Sequence, residues 1–289
     1  MRRLVCALLL MGTAAPAAAG DDSWLRGSTS DFPAPQPFVH WSGFYGGAQL
    51  GADFHGADLR RAAQPFISNF QGEDGFLQQL PLPTMSVLPV VNTKGPSYGG
   101  FAGYNYRIDD AVLGFEVNLS RSSMSAAGSD NELRSYIIND ANSHTWSVTT
   151  SLLTGGVVSL EDYGSLRGRF GWAFGDFLPY LFLGLSFAQV DTYRYGYVGY
   201  LAVDITPQTE SGSPPVLTPT RFGNRGQSLS DIDYSHGKYT FGFSVGAGID
   251  YALTQNIFLR GEIEYLQLSS VNNIELDTTS VRAGAGLKF

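Results

Sequence analysis

The feature that most constrains this chain is strict two-residue alternation, repeated in eight separate segments after Trp41. Successive side chains of a β-strand point to opposite faces, so such alternation means a strand with a different environment on each side. The sixth segment is the clearest. Phe241, Phe243, Val245, Ala247, Ile249 and Tyr251 alternate with Thr240, Gly242, Ser244, Gly246, Gly248 and Asp250. Segments of the same kind cover 44–54, 98–108, 111–119, 164–174, 257–265 and 280–289, and 181–187 is a strand segment that is apolar on both sides. Charge falls on one face only. Asp53, Arg107, Glu116, Arg167, Arg169, Asp250, Arg260, Glu262, Glu264, Arg282 and Lys288 all share the phase opposite the apolar set.

Alternation by itself fits a soluble barrel with its apolar face inside as well as a membrane barrel with that face outside. Three further signals favour lipid outside. Connections alternate between long (55–96, 120–163, 193–237) and short (Asp109-Asp110, Gly175-Asp176, a few residues around Thr254), as external loops and periplasmic turns do. Aromatic residues collect near the ends of the apolar faces (Phe44, Phe54, Tyr106, Trp172, Phe174, Tyr251, Tyr265), where interfacial girdles belong. The last residue, Phe289, is aromatic and in phase with the outward face. No run of 18 apolar residues exists, so any crossing must be made by strands, and strands cross lipid only in a closed barrel. The expected fold is an all-β, eight-stranded antiparallel transmembrane barrel with long extracellular loops. Ten strands is the alternative, if 144–151 and 193–205 form an added pair instead of hairpins standing above the membrane.

Residues 1–19 have the layout of a secretory signal peptide: Arg2 and Arg3, an apolar stretch over 4–11, and Ala17-Ala18-Ala19 before Gly20. Cleavage is expected between Ala19 and Gly20, with 20–40 a Pro/Ser-rich periplasmic linker and 41–289 the barrel. Loss of the leader removes Cys6, the only cysteine, and with it any disulfide or cysteine nucleophile. It also takes the formal net charge from −8 to −10 by removing Arg2 and Arg3, which argues against a nucleic-acid partner.

Counted from the short turns, the inward charges Glu116, Arg167, Arg169, Glu262, Glu264 and Arg282 fall in one layer, roughly 13–20 Å up a tilted strand. Arg260 is assigned to the same layer. Such a layer is either a filter for solutes or a structural plug of paired charges. Six basic and five acidic inward residues nearly cancel, which favours pairing and hence the plug. The inward glycines, among them Gly47, Gly103, Gly246 and Gly248, leave room for a narrow water path. The four histidines, His40, His55, His144 and His236, are read as linker or loop surface residues, without the spacing of a metal site or the order of a triad. No catalytic, cofactor-binding or metal-binding residues are assigned, and an enzyme is not expected.

Trp41-Ser42-Gly43-Phe44-Tyr45-Gly46-Gly47-Ala48-Gln49-Leu50-Gly51 resembles the opening strand of small alphaproteobacterial outer-membrane barrels, the porin-family proteins with an OmpA-like barrel domain. Gly164-Ser165-Leu166-Arg167-Gly168-Arg169-Phe170-Gly171-Trp172-Ala173-Phe174, continued by Leu178-Pro179-Tyr180, is similar to that family's fourth and fifth strands. The closing Gly284-Ala285-Gly286-Leu287-Lys288-Phe289 resembles its assembly signal, with Leu287 and Phe289 read by the barrel-insertion machinery. The resemblance implies a surface-exposed protein of the Gram-negative outer membrane, with lipid as its surroundings. Its implied role is structural, supporting envelope integrity and surface interactions. The alternatives are a small porin-like diffusion pore, or an adhesin or ligand receptor (for haem, for example) acting through loops that meet host or surface ligands. No peptidoglycan-binding domain follows the barrel segment, so tethering to the cell wall is not implied.

Overall fold

Each alternating segment is a strand, and the strands run well past the segments that alternate most clearly. The computed structural model describes residues 40–73, 75, 77–86, 88–139, 143–206 and 225–289. The proposed cleavage site at Ala19 and Gly20, and nearly all of the 20–40 linker, lie outside them. Eight strands follow one another: β1 (Gly43–Asp58), β2 (Val90–Ile108), β3 (Ala111–Asn139), β4 (Thr145–Trp172), β5 (Phe177–Asp204), β6 (Arg225–Ala252), β7 (Ile257–Val271) and β8 (Ile274–Lys288). Every neighbouring pair is antiparallel, and β1 pairs with β8 to close the ring.

The register fixes the barrel's shape. Following paired residues once around from Gly46, through Ala102, Val117, Leu166, Leu185, Phe243, Gln267 and Asp277, returns to Gly56, ten residues along β1. Ten residues of roughly 3.3 Å against eight strand spacings of roughly 4.8 Å give a strand tilt of about 40°. Each residue then climbs roughly 2.5 Å along the barrel axis. The outward apolar run of β5, from Phe177 to Phe187, therefore spans about 25 Å, the height of a lipid-facing band. At the periplasmic ends the turns are tight, with Asp109 and Gly175 in the left-handed region.

Above the band the chemistry inverts. Strands β3 to β6 have 28 or 29 residues each and continue outward for roughly 40 Å as a four-stranded sheet. Register shifts at Arg121/Met124, Leu160/Tyr163 and Val190/Thr192 mark the transition. Such irregularities re-aim side chains. Beyond them the inner face is apolar: Trp146, Val148, Leu152, Val158, Leu160, Val190, Val198 and Tyr200 are buried. What covers them is the chain between β1 and β2. It holds α1 (Gln64–Glu73) and two 3₁₀ turns (Leu77–Gln79, Leu82–Thr84). Phe66, Ile67 and Phe70, one stripe of α1, pack with Leu59, Leu80, Leu82, Met85 and Leu88 into a single core against the sheet.

This corrects the picture of three large loops. The first is a folded cap, and the second is chiefly the tall β3–β4 hairpin. The segments 144–151 and 193–205 are upper parts of β4 and β5, so eight strands suffice.

Candidate functional site

The lumen is built by inward side chains of all eight strands, and the seven charged residues expected there meet in one network. Glu116 lies at its centre. Its Oε2 accepts from Arg260 Nη1 at 2.7 Å, Arg169 Nη1 at 3.1 Å and the Tyr45 hydroxyl at 2.9 Å. Asp250 takes Arg260 Nε at 2.9 Å on one oxygen and Arg169 Nη2 at 2.8 Å on the other. Arg167 reaches Glu262 at 2.6 Å and Glu264 at 2.8 Å, while its Nε donates to Ser165 Oγ at 2.7 Å. Arg282 Nη1 lies 2.6 Å from Glu264 Oε2, and its Nη2 donates to the Tyr163 hydroxyl at 3.0 Å. Four arginines thus face four carboxylates, and all eight side chains are at most 3% exposed.

Rings fill the remaining space. The Arg169 guanidinium stacks 3.7 Å from the centroid of Tyr180, Arg260 lies 3.8 Å from Phe101, and Arg167 lies 4.4 Å from Phe182. The inward glycines do not leave a water path at these levels, contrary to the sequence-based expectation. A Cβ at Gly103 would collide with Tyr45, at Gly246 with Phe182, at Gly248 with Tyr180 and at Gly286 with Phe258. Those glycines let the rings lie flat against the wall and across the bore.

Among the described residues, side chains also fill the lumen below and above this layer. At the periplasmic mouth Trp41, 2% exposed, packs with Val112, Ala173, Leu178 and Ala252, and its indole N–H donates to the Gly175 carbonyl. Lys288 sits over that indole, and Arg107 pairs with Asp110 at the rim, so these two inward charges stand apart from the central network. Above the network a polar ladder follows. Gln49 bonds Asn118 and Ser120, and Asp53 accepts from Ser97 and Tyr163. His55 is bonded through both ring nitrogens, to Thr278 and Ser122. The reading of His55 as a loop surface residue is therefore wrong: it lies on β1, 2% exposed, because β1 outruns its apolar alternation by four residues. His236 is likewise on a strand, β6, exposed and paired with Asp191. The external cap closes the top.

Arg194 holds the cap in place. It is 6% exposed, and its Nη1 donates to the carbonyls of Ala62 (3.3 Å) and Asn272 (2.8 Å). It also pairs with Asp233 and lies over the Phe66 ring at 5.5 Å. One guanidinium thereby ties the cap to β5, β6 and the β7–β8 turn. Sequence reasoning missed it, although an arginine amid Tyr193, Tyr195, Val198 and Tyr200 was a visible sign of an inward charge. It also missed the hydroxyls of Tyr45, Tyr163 and Tyr180, which give the network its non-ionic partners. Among the described residues no three His, Asp, Glu or Cys side chains gather so as to hold a metal ion. Leu287 and Phe289 point outward, 51% and 80% exposed, and the Phe289 amide donates to the Phe44 carbonyl at 2.8 Å where the barrel closes.

A family model described as outer membrane protein beta-barrel domain matches residues 4–289. The 25 kDa outer-membrane immunogenic protein of Brucella ovis is 27% identical over 191 residues, covering 66% of this chain and 62% of the relative. Its Brucella canis counterpart is 26% identical over 199 residues, covering 66% and 64%. The matched region thus spans less than two thirds of the length of these relatives. Among solved structures, Neisserial surface protein A is 17% identical over 86% of this chain and 98% of its own, with a TM-score of 0.34. Ail, the attachment invasion locus protein of Yersinia pestis, is 12% identical over 86% and 99%, with a TM-score of 0.31.

Proposed function

This chain belongs to the outer membrane protein β-barrel domain family and is an outer-membrane protein, and from that premise we propose that it is a closed structural barrel. In this reading it supports envelope integrity and presents an external sheet for surface contacts, and it neither conducts solutes nor catalyses a reaction. The observation that carries the proposal is the central network, in which four arginines and four carboxylates pair across the bore. A filter made by a ring of charged side chains presents one sign of charge to water. Here the charges cancel, and the rings of Tyr45, Phe101, Tyr180 and Phe182 occupy the space between them. Trp41 below and the cap above act in series with this layer. The same reading makes Phe289 and Leu287 the part of the chain that the barrel-insertion machinery engages during assembly.

The test is single-channel recording of the refolded protein in a planar bilayer, beside the double variant Glu262→Ala/Glu264→Ala. Insertion is verified separately by protease protection. The expected wild-type trace is silent. Steady wild-type steps whose size changes in the double variant would overturn the plug and make the charged layer a filter.

A further inference from the structure

The outward face of the external sheet carries a row of tyrosines whose ring contacts are with one another and with His236, and its position says what it meets. Tyr193, Tyr195 and Tyr197 are successive outward residues of β5, and Tyr234 lies opposite Tyr193 on β6. Two of the rings recline against the sheet. Tyr195 is in register with Gly155 on β4, and a Cβ at Gly155 would lie 2.3 Å from the Tyr195 ring, so glycine there lets the ring lie across the neighbouring strand. The Tyr197 ring leans along its own strand toward Gly199, where a Cβ would lie 3.0 Å from its hydroxyl. Reclining rings turn their π-faces outward, whereas upright ones would present edges. Tyr193 and Tyr197 remain 38% and 40% exposed and Tyr234 65%. The nearby outward charge, Asp191, is paired with His236, which stacks on Tyr234.

We propose that this face is a stacking platform for the saccharide of the glycolipid in the outer leaflet of the protein's own membrane. Three points lead there. The face continues the lipid-facing wall: the outward row of β5 climbs from Leu185 and Phe187 straight to Tyr193, and that of β6 from Phe241 to Tyr239 and Tyr234. Tyr193 to Tyr197 stand roughly 15–25 Å above Phe187, the level at which sugars replace acyl chains. The face looks sideways, in the membrane plane, toward neighbouring glycolipid and away from anything arriving from outside. Its chemistry suits a neutral hexose: flat aromatic faces for the axial C–H groups of a pyranose, with small hydroxyl residues such as Ser151 and Ser230 beside them. Tethering by the lipid supplies the high local concentration that weak stacking needs. The proposal rests on the outer-membrane location, and it holds whether or not the lumen conducts.

Hydroxyl-radical footprinting of the refolded full chain tests it. Bilayers whose outer leaflet is lipid A alone are compared with bilayers of the same lipid A bearing its core oligosaccharide. The expected result is loss of most of the modification at Tyr193, Tyr195 and Tyr197 when the oligosaccharide is present, with Ile137, exposed on β3, modified as before. Equal loss at Ile137 would mean passive coverage and overturn the proposal, as would unchanged tyrosine modification. Free oligosaccharide at the same bulk concentration is expected to protect nothing. Protection by it would assign the face to soluble glycans and refute the membrane source. In Tyr195→Ser/Tyr197→Ser the protection of Tyr193 should vanish, while Tyr195→Phe/Tyr197→Phe should keep it. If the serine variant fails to insert, the wild-type comparison of tyrosines with Ile137 still decides.

Discussion

Replacing Glu116 by alanine removes the carboxylate on which the central network converges. Arg260, Arg169 and Arg167 lose a partner at 2.7, 3.1 and 3.5 Å, and the Tyr45 hydroxyl loses its acceptor. Four buried guanidinium groups then face three carboxylates. Breaking a buried ion pair costs about 3–5 kcal/mol, because the surviving charge keeps its desolvation penalty. The Tyr45 hydroxyl still accepts from Arg169 Nη1 at 2.7 Å, so the loss of its own acceptor adds about 1 kcal/mol. Asp250 offsets part of this, since it still holds both Arg169 and Arg260. The net expectation is a loss of about 4 kcal/mol. With an m-value of roughly 2 kcal/mol/M in urea, the midpoint of unfolding from lipid vesicles should fall by about 2 M. A second substitution sharpens the reasoning. Arg260→Met in the Glu116→Ala background restores charge balance, and the methionine can rest on the Phe101 ring where the guanidinium lay. The double variant should therefore recover about 2 kcal/mol, a coupling within the range for contacting residues. Tryptophan fluorescence against urea reads both quantities. A midpoint shift under about 0.5 M for Glu116→Ala, or no coupling with Arg260, would show that water solvates the network and that the lumen is not a dry plug.

Other expectations follow from the cap and the barrel ends. Arg194→Met should leave the barrel inserted but free the cap, read as faster protease cleavage within 59–89. Cleavage as slow as in the wild type would remove Arg194 from the role of clamp. Phe66→Ala should cost about 3–5 kcal/mol of local stability in the external core, seen as faster amide exchange in β4 and β5 above the register shifts, with exchange below them unchanged. At the top of β5, the Thr206 hydroxyl and amide and the His144 ring, in that order, hold the Asp204 carboxyl below the usual carboxylate range. A depressed folded-state value means stabilisation that is complete above the ordinary pKa of about 3.9 and is lost as pH falls through the lowered one. Amide exchange at 202–206 should therefore accelerate below about pH 4, and Asp204→Asn should abolish that acid step. Deleting Phe289 should lower insertion in cells, monitored by heat-modifiable gel mobility, while refolding into detergent proceeds. Equal losses in both settings would make the residue structural.

The lower half of the barrel was legible in the sequence because one solvent boundary governs it. With lipid outside and a narrow lumen inside, alternation and charge reinforce each other, and the inward phase holds Glu116, Arg167, Arg169, Arg260, Glu262, Glu264 and Arg282, which lie within one ion-pair network. The upper half obeys the opposite rule, and the register shifts around Leu160 and Val190 fall where the rule changes. A strand such as β4 reads there as Ser147, Thr149 and Ser151 against Trp146, Val148 and Leu152, with its apolar set facing inward. Read with the membrane rule, such segments are strand-like but have no place in the band. The cap carried its own signal. Leu59, Phe66, Ile67, Phe70, Leu77, Leu80 and Leu82 are too apolar for a solvated loop of this length, and Phe66, Ile67 and Phe70 share one helical face. What no sequence pattern supplied was the partner surface, because it is made by strands that precede and follow one another over a hundred residues.

The inversion also bears on how each half fills its centre. Below the shifts, polar groups are hidden from lipid by turning inward, where only mutual pairing satisfies them. Above the shifts, water surrounds the sheet, and apolar groups turn inward and need a cover. Both halves therefore fill their centres, with charges in one and a folded cap in the other. The two fillings fail under different perturbations: loss of a carboxylate unbalances the first, and loss of a large apolar side chain undercuts the second. They meet at Asp53, His55 and Tyr163, whose bonds to Ser97, Ser122, Thr278 and Arg282 link the charged layer to the base of the cap. A conducting path would need both fillings to open together. Single-residue variants of either half should therefore change stability or cap mobility before they change conductance.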